Sequence, residues 1–148
     1  MRQVADYQRS EVEKLSNTLS RVAEGDLAVR YDVAEADQNT REVHQSFTAI
    51  AQATNATIQS LAKARDVAEK IAAFQEDEVA KLSQTMQKVA DGDMTARYRT
   101  ETTDDDTRQV GEAFGGIAEA VNRTLENLGQ MIAQITESAE QFAEGARV

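Results

Sequence analysis

Residues 22–27 read Val-Ala-Glu-Gly-Asp-Leu, and residues 89–94 repeat the stretch as Val-Ala-Asp-Gly-Asp-Met. The similarity extends far beyond this turn. Residues 7–63 and 74–130 align without a gap, 67 residues apart, with 24 identities in 57 positions. An internal repeat identifies the structural unit of a chain. Each unit here contains a predicted amphipathic helix, a connector that starts near glycine, and a second amphipathic helix.

The composition indicates an all-α chain and excludes several classes of function. The 148 residues include no proline, tryptophan or cysteine, and only 5% of them are aromatic. Long helices are therefore permitted, and a disulfide framework is excluded. The net charge of −10 disfavours nucleic acid and anionic membrane surfaces as partners. No apolar run approaches the ~20 residues that a membrane-spanning helix requires.

The predicted helices carry narrow apolar seams with the alternating three- and four-residue spacing of coiled coils. The predicted bundle core of the first unit consists of Val12, Leu15, Leu19, Val22, Val43, Phe47, Ile50 and Leu61. That of the second unit consists of Val79, Leu82, Met86, Val89, Val110, Phe114, Ile117, Val121 and Leu128. We expect Leu15, Leu82, Phe47 and Phe114 to be buried.

The two connectors, residues 25–39 and 92–106, lose the helical period but keep a few apolar anchors. The predicted connector anchors are Gly25, Leu27, Tyr31, Gly92, Met94 and Tyr98. Each glycine stands where a left-handed residue commonly ends a helix. Asn39 and Asp106, or the threonine after each, are predicted N-caps of the second helices. Truncation of the anchors is expected to cost less stability than truncation of the core.

The length of the connectors predicts the topology of each unit. A connector of ~14 residues spans at most ~45 Å, enough to run back beside a helix of ~30 Å and to make the two helices parallel. Such a pair cannot bury both apolar stripes alone. We therefore predict two tandem parallel four-helix coiled-coil bundles formed by a homodimer and joined by a continuous helix. The predicted boundaries are 1–66 and 67–131, and residues 132–148 begin a downstream helix.

The second unit resembles a HAMP domain. The resemblance rests on residues 89–94, Tyr98, Asp105-Asp106, Val110 and Ala113-Phe114. The first unit is similar, with Gln38-Asn39 and Ser46-Phe47 at the equivalent positions. Residues 134–139 (Gln-Ile-Thr-Glu-Ser-Ala) look like the start of a chemoreceptor signalling helix.

The resemblance implies tandem HAMP domains of a bacterial methyl-accepting chemotaxis protein. In that family, parallel homodimers relay conformational signals from a sensor to an output domain, and through it to a chemotaxis kinase and adaptor. It also implies a cytoplasmic location, within a soluble or membrane-anchored receptor.

Other interpretations are a structural coiled-coil spacer or dimerisation segment, a relay segment of a histidine kinase or cyclase, and a helical sensor domain. A spacer does not need two glycine-started connectors, and the small seam residues supply no ligand pocket. Residues 91–93 and 104–106 lack the full alternation of a calcium loop. His44, the one histidine, lacks the sequence context of a phosphoacceptor. We predict no catalytic residue, no metal site, no cofactor and no enzyme activity.

Overall fold

The computed structural model describes residues 2–147. Within that range the chain forms three α-helices and no strand: α1 (Arg2–Ala23), α2 (Arg41–Ala90) and α3 (Arg108–Arg147). The predicted all-α class is confirmed over this range. α2 is a single helix of 50 residues, as the lack of proline and glycine between residues 40 and 90 predicts. The chain divides into two compact units, Met1–Val67 and Ala68–Val148.

The two helices of the first unit are parallel. Near their N-terminal ends, Tyr7 Oη of α1 lies 2.9 Å from His44 Nδ1 of α2. Near the C-terminal end of α1, Arg65 of α2 donates to the Gly25 carbonyl at 3.1 Å. The non-helical residues 24–40 therefore run back along the helix pair, as the connector length predicts.

The second unit has the same arrangement, formed by the C-terminal part of α2 and by α3. The rings of Phe74 and Phe114 pack edge to face, with centroids 6.2 Å apart, near the start of α3. Met94, just after the end of α2, lies beside Gly129, farther along α3. The two helices of this unit are therefore parallel as well.

Each first helix ends in a Schellman turn centred on glycine. Gly25 and Gly92 have φ of +99° and +100°, the left-handed conformation predicted for them. The amide of Gly25 donates to the Val22 carbonyl at 2.9 Å, and the amide of Asp26 donates to the Arg21 carbonyl at 2.9 Å. Equivalent bonds are present in the second unit. The turn reverses the chain direction, so that the connector can run back.

The core within one chain is centred on the connectors. Tyr31 and Tyr98 are each 1% exposed, and Ile58 and Leu125 are 1% and 2% exposed. In the first unit Tyr31 forms a buried cluster with Phe47 and Ala51, and Tyr7, Leu15, Val33 and Val43 pack around it.

Most of the predicted core residues lie at the edge of this core. Phe47 is buried, whereas Leu15, Val22, Val43, Leu82, Val89, Val110, Phe114 and Val121 are only half-buried. Val12, Leu19, Ile50, Leu61, Val79, Met86, Ile117 and Leu128 are exposed in the single chain. The reason is that each apolar stripe is wider than a strict heptad seam. One side of the stripe packs against the connector, and the other side is left open.

Candidate functional site

The first connector is held from two sides at one residue, Tyr31. Its phenol donates to Oε2 of Glu11 on α1 at 2.8 Å. Its backbone amide donates to Asn55 Oδ1 of α2 at 2.8 Å, and its carbonyl accepts from Asn55 Nδ2 at 2.9 Å. The other Glu11 oxygen accepts from the Ala34 amide at 2.9 Å and lies 3.1 Å from Lys14 Nζ. A single connector residue therefore joins both helices.

The second unit repeats this arrangement. Tyr98 donates through its phenol to Glu78 Oε2 at 2.7 Å. Its backbone amide and carbonyl bond to Asn122 at 2.9 Å and 2.8 Å. Glu78 Oε1 accepts from the Glu101 amide at 2.7 Å and lies 3.2 Å from Lys81 Nζ. We call each set of glutamate, tyrosine and asparagine the connector clasp.

The protonation states of the clasp are held by its own hydrogen bonds. Burial and the bond to Glu78 raise the pKa of Tyr98 to about 12. Burial and the bond to Glu11 likewise raise the pKa of Tyr31. Burial acts to raise the pKa of Glu11 and Glu78. The bonds from the connector amide, the tyrosine and the lysine outweigh it, so both carboxyl pKa values are lowered. At neutral pH a neutral phenol therefore donates to an ionised carboxylate.

We expect the chain to become less stable in acid, because the stabilisation that the clasps provide is lost there. Because the pKa values of Glu11 and Glu78 are lower in the folded state, their contribution is present above the unfolded pKa of about 4.3. It is lost as the pH falls through the folded pKa. The free energy of unfolding from urea titrations should fall from about pH 5 downwards. That fall should be smaller in the Glu11→Gln/Glu78→Gln variant.

The matched control is Glu13→Gln/Glu76→Gln, which changes two exposed glutamates on the same helices. This control should keep the full acid dependence. An equal loss of acid dependence in both double variants would contradict the role of the buried carboxylates. The tyrosines act in the opposite pH range: their contribution should be complete below about pH 10 and lost as the pH rises through the folded pKa of the phenols.

The N-cap of α2 is Thr40, the second of the two predicted alternatives, and not Asn39. The Thr40 carbonyl accepts the first helical bond from the His44 amide at 2.9 Å. Thr40 and Asp37 bond reciprocally: Thr40 Oγ1 accepts from the Asp37 amide at 3.0 Å, and Asp37 Oδ1 accepts from the Thr40 amide at 3.1 Å. Asn39 instead directs its side chain to α1, where it donates to Gln3 Oε1 at 2.7 Å.

The N-cap of α3 is likewise Thr107, again the second of the two predicted alternatives, and not Asp106. Thr107 and Asp104 form the same reciprocal pair, with both bonds at 3.1 Å. The Asp106 carboxylate faces Lys70 of α2 at 2.9 Å. In both units the N-cap is the threonine because its backbone amide donates to the side-chain oxygen of the aspartate three residues upstream.

The remaining predicted anchors lie along the first part of each connector. Leu27 and Met94 are half-buried. The guanidinium of Arg30 donates to the Leu27 carbonyl at 3.1 Å, and that of Arg97 donates to the Met94 carbonyl at 2.8 Å. These local bonds hold the chain in a compact turn after each glycine.

The two units differ where their helices begin. In the first unit Tyr7 Oη donates to the carbonyl of residue 34 at 2.7 Å, and His44 Nδ1 lies 3.0 Å from the same carbonyl. The equivalent positions in the second unit are Phe74 and Gly111. A Cβ at Gly111 would overlap the methyl group of Thr103. The first connector is therefore held there by hydrogen bonds and the second by close packing.

Sequence reasoning missed the polar residues of the clasp: Glu11, Glu78, Asn55 and Asn122. A heptad pattern assigns these positions to the solvated side of a helix, because only apolar residues mark the seam. The sequence nevertheless contained a signal. Both glutamates and both asparagines recur at the repeat offset of 67 residues, whereas most other polar positions differ between the units.

Two aspartates of the second connector, Asp93 and Asp104, accept hydrogen bonds from nearby backbone amides, and Asp104 also forms an ion pair with Lys70. Asp93 Oδ1 accepts from the Thr95 amide at 2.9 Å, and Asp104 pairs with both Thr107 and Lys70. Among residues 2–147, no group of three or more His, Cys, Asp or Glu side chains is placed to hold a metal ion.

Residues 78–123 match the family model of the HAMP domain. The matched stretch begins at Glu78, includes Tyr98 and ends one residue after Asn122, so it contains the whole second clasp. The similarity to a HAMP domain covers less than half of the chain. A search of curated proteins and a search of solved structures found no match.

HAMP domains are intracellular modules that relay signals between sensor and output domains. The resemblance noted for the second unit is therefore confirmed over residues 78–123. In the part of the chain that the structure describes, no helix is both long and apolar enough to cross a membrane.

Proposed function

We propose that the chain is a relay segment in which two HAMP-type units act in series between a sensor and an output domain. The supporting observation is that the first unit repeats the clasp of the matched domain. The phenol–carboxylate bond is 2.8 Å in one unit and 2.7 Å in the other. The two bonds between the tyrosine backbone and the asparagine side chain measure 2.8 and 2.9 Å in the first unit. In the second unit they measure 2.9 and 2.8 Å. We therefore interpret residues 1–67 as a second HAMP-type unit.

The clasp restricts how a unit can move. Each clasp tyrosine bonds to one helix through its phenol and to the other through its backbone. Sliding one helix past the other would leave a buried carboxylate and a half-buried asparagine amide without partners, which is costly. The two helices and the connector of a unit therefore move together. Signalling then occurs between two packing states of such bodies, which a sensor need bias by only a few kcal/mol.

We propose that the relay is a parallel homodimer in which each unit forms a four-helix bundle. An apolar groove opens between the parallel helices of each unit. In the first unit it is lined by Leu19, Val22, Ala53, Thr54, Thr57, Ile58 and Leu61. In the second it is lined by Met86, Val89, Ala120, Val121, Thr124, Leu125 and Leu128, the same positions 67 residues later. A second copy presents the identical stripe and would cover the groove of each unit in a self-complementary interface.

Single-cysteine variants test this dimer directly, since the chain contains no cysteine. We expect Leu19→Cys and Met86→Cys to form interchain disulfides under mild oxidation, because each seam position faces its own copy in a parallel bundle. The controls are Asn17→Cys and Gln84→Cys, which are exposed and lie on the far side of the same helices. Equal cross-linking of the controls, or a folded helical monomer in sedimentation equilibrium at micromolar concentration, would contradict the proposal.

We propose a chemotaxis-type output, acting in the cytoplasm through a kinase and its adaptor. Two observations support it. Residues 134–139 resemble the start of a chemoreceptor signalling helix, and α3 continues to Arg147 with exposed Met131, Ile135 and Phe142 along one side. The seam therefore continues beyond the second bundle. A histidine kinase or a cyclase is the alternative output.

A chimeric receptor tests the relay and its output. With the chain placed between a sensor of known ligand and a chemoreceptor output, the ligand should change kinase activity. Tyr98→Ala should abolish that control. Tyr98→Phe, which keeps the packing, should weaken it, and Arg99→Ala at the exposed neighbouring position should preserve it. Unchanged control in Tyr98→Ala would refute the clasp role. If the ligand changes activity only in chimeras with a histidine kinase or cyclase output, and not with a chemoreceptor output, the chemotaxis assignment is refuted.

A further inference from the structure

The second connector carries ion pairs to α2 at two places. Lys70 Nζ contacts Asp104 Oδ2 and lies 2.9 Å from Asp106 Oδ2. Lys81 Nζ lies 3.2 Å from Glu78 Oε1 and 3.4 Å from Glu101 Oε1. The side chains of Lys70 and Lys81 are 48% and 32% exposed, so dissolved ions reach both.

The first unit has neutral residues at three of the equivalent positions, although Asp37 and Lys14 keep the charges of Asp104 and Lys81. Gln3 replaces Lys70, and Asn39 replaces Asp106; the two amides form a hydrogen bond of 2.7 Å. Ala34 replaces Glu101. The first connector does form an ion pair at its glycine turn, between Arg21 and Asp26 at 3.4 Å. Between residues 27 and 40 the structure shows no ion pair to either helix.

We propose that Lys70 and Lys81 form an ionic latch, which makes the closure of the second connector on α2 dependent on ionic strength while the closure of the first is not. The consequence for signalling rests on the relay proposed above: a change in ionic strength would bias the second unit and leave the first unaffected. The two units in series would then respond to different inputs.

Electrostatics supports this difference between the connectors. At low salt, charges within about 10–20 Å interact, whereas at about 0.5 M the screening length falls to about 4 Å. Salt also screens the repulsion among residues 104–106, but the Lys70 ammonium is in direct contact with two of those carboxylates. The hydrogen bond to Lys70 is the main cause that lowers the pKa of Asp104 to about 2, and the two carboxylates raise the pKa of Lys70. Attraction is therefore the stronger of the two effects.

Hydrogen–deuterium exchange of the whole chain tests the latch. We expect amides of residues 94–107 to exchange about two- to fivefold faster in high salt than in low salt, the range for exposed ion pairs. Amides of residues 27–40 should show no such change and serve as an internal control. Lys70→Gln/Glu101→Ala/Asp106→Asn copies the three neutral residues of the first unit and should remove the salt response. Gln3→Lys/Asn39→Asp should create one in the first connector.

Each outcome is decisive. Equal salt responses of the two connectors in the wild-type chain would overturn the proposal, as would a response that persists in Lys70→Gln/Glu101→Ala/Asp106→Asn. If the first connector gains no salt response in Gln3→Lys/Asn39→Asp, the assignment of the latch to the Lys70–Asp106 position is overturned. Exchange reports on the connectors whether or not the chain dimerises. A failure of the latch is therefore distinguishable from a failure of the relay, which cysteine cross-linking and the chimera report.

Discussion

Replacing Glu78 with alanine should lower the free energy of unfolding of the second unit by about 2–4 kcal/mol. The Glu78 side chain is completely buried and accepts from the Tyr98 phenol and the Glu101 amide. Its removal leaves the buried Tyr98 phenol and the half-buried Glu101 amide without an acceptor. A buried donor without a partner costs about 1–3 kcal/mol, and a half-buried one costs less. A cavity at the removed carboxylate adds to the loss.

Urea denaturation measures this loss, and amide exchange locates it within the second unit. Glu78→Gln should cost less than Glu78→Ala, because the amide oxygen can still accept one of the two bonds while its NH2 group cannot accept the other. Glu76→Ala, at an exposed position on the same helix, should stay within about 0.5 kcal/mol of the wild type. A Glu78→Ala variant as stable as Glu76→Ala would show that the clasp does not hold the unit together.

Leu125→Ala and Leu128→Ala should separate stabilisation within one chain from stabilisation by a second copy. Leu125 is 2% exposed in the single chain, whereas Leu128 is 38% exposed. Truncation of a buried leucine costs about 2–5 kcal/mol, so Leu125→Ala should lose this amount in a monomer or a dimer. Leu128→Ala should approach the same loss only if a partner copy covers the groove.

The measurement is urea denaturation at several protein concentrations, since the stability of a dimer rises with concentration. We expect both variants to be strongly destabilised and Leu128→Ala to shift dimerisation to higher concentration. A loss below about 0.5 kcal/mol in Leu128→Ala, the range of exposed positions, would mean that no second copy packs on this face. A small loss in Leu125→Ala would contradict the core of the single chain itself.

Burial changes the expected ranking of the connector anchors. The sequence predicts that truncation of Tyr31 or Tyr98 costs less stability than truncation of the bundle core, because these side chains join the connector to the bundle. Both tyrosines are 1% exposed and hydrogen-bonded to a buried carboxylate. Truncation of an aromatic core residue typically costs about 3–5 kcal/mol. The tyrosines therefore belong to the core.

The sequence by itself determined the helices, the turns and the repeat. The lack of proline and glycine between residues 40 and 90 allowed a continuous α2, and Gly25 and Gly92 marked the turns that end the first helix of each unit. These features depend on the preferences of neighbouring residues and on helical spacing, which can be read directly from the chain. The connector length also determined that the helices of a unit are parallel.

Only the tertiary structure decided which polar residues are buried and which cap the helices. The bond between Glu11 and Tyr31 joins positions 20 residues apart, and those between Tyr31 and Asn55 join positions 24 apart. Helical periodicity places such a glutamate and such an asparagine on the solvated side, because it does not include the connector that covers them. A carboxylate becomes a core group when a folded connector supplies enough donors to offset its desolvation. That condition is met only after the chain has folded back on itself.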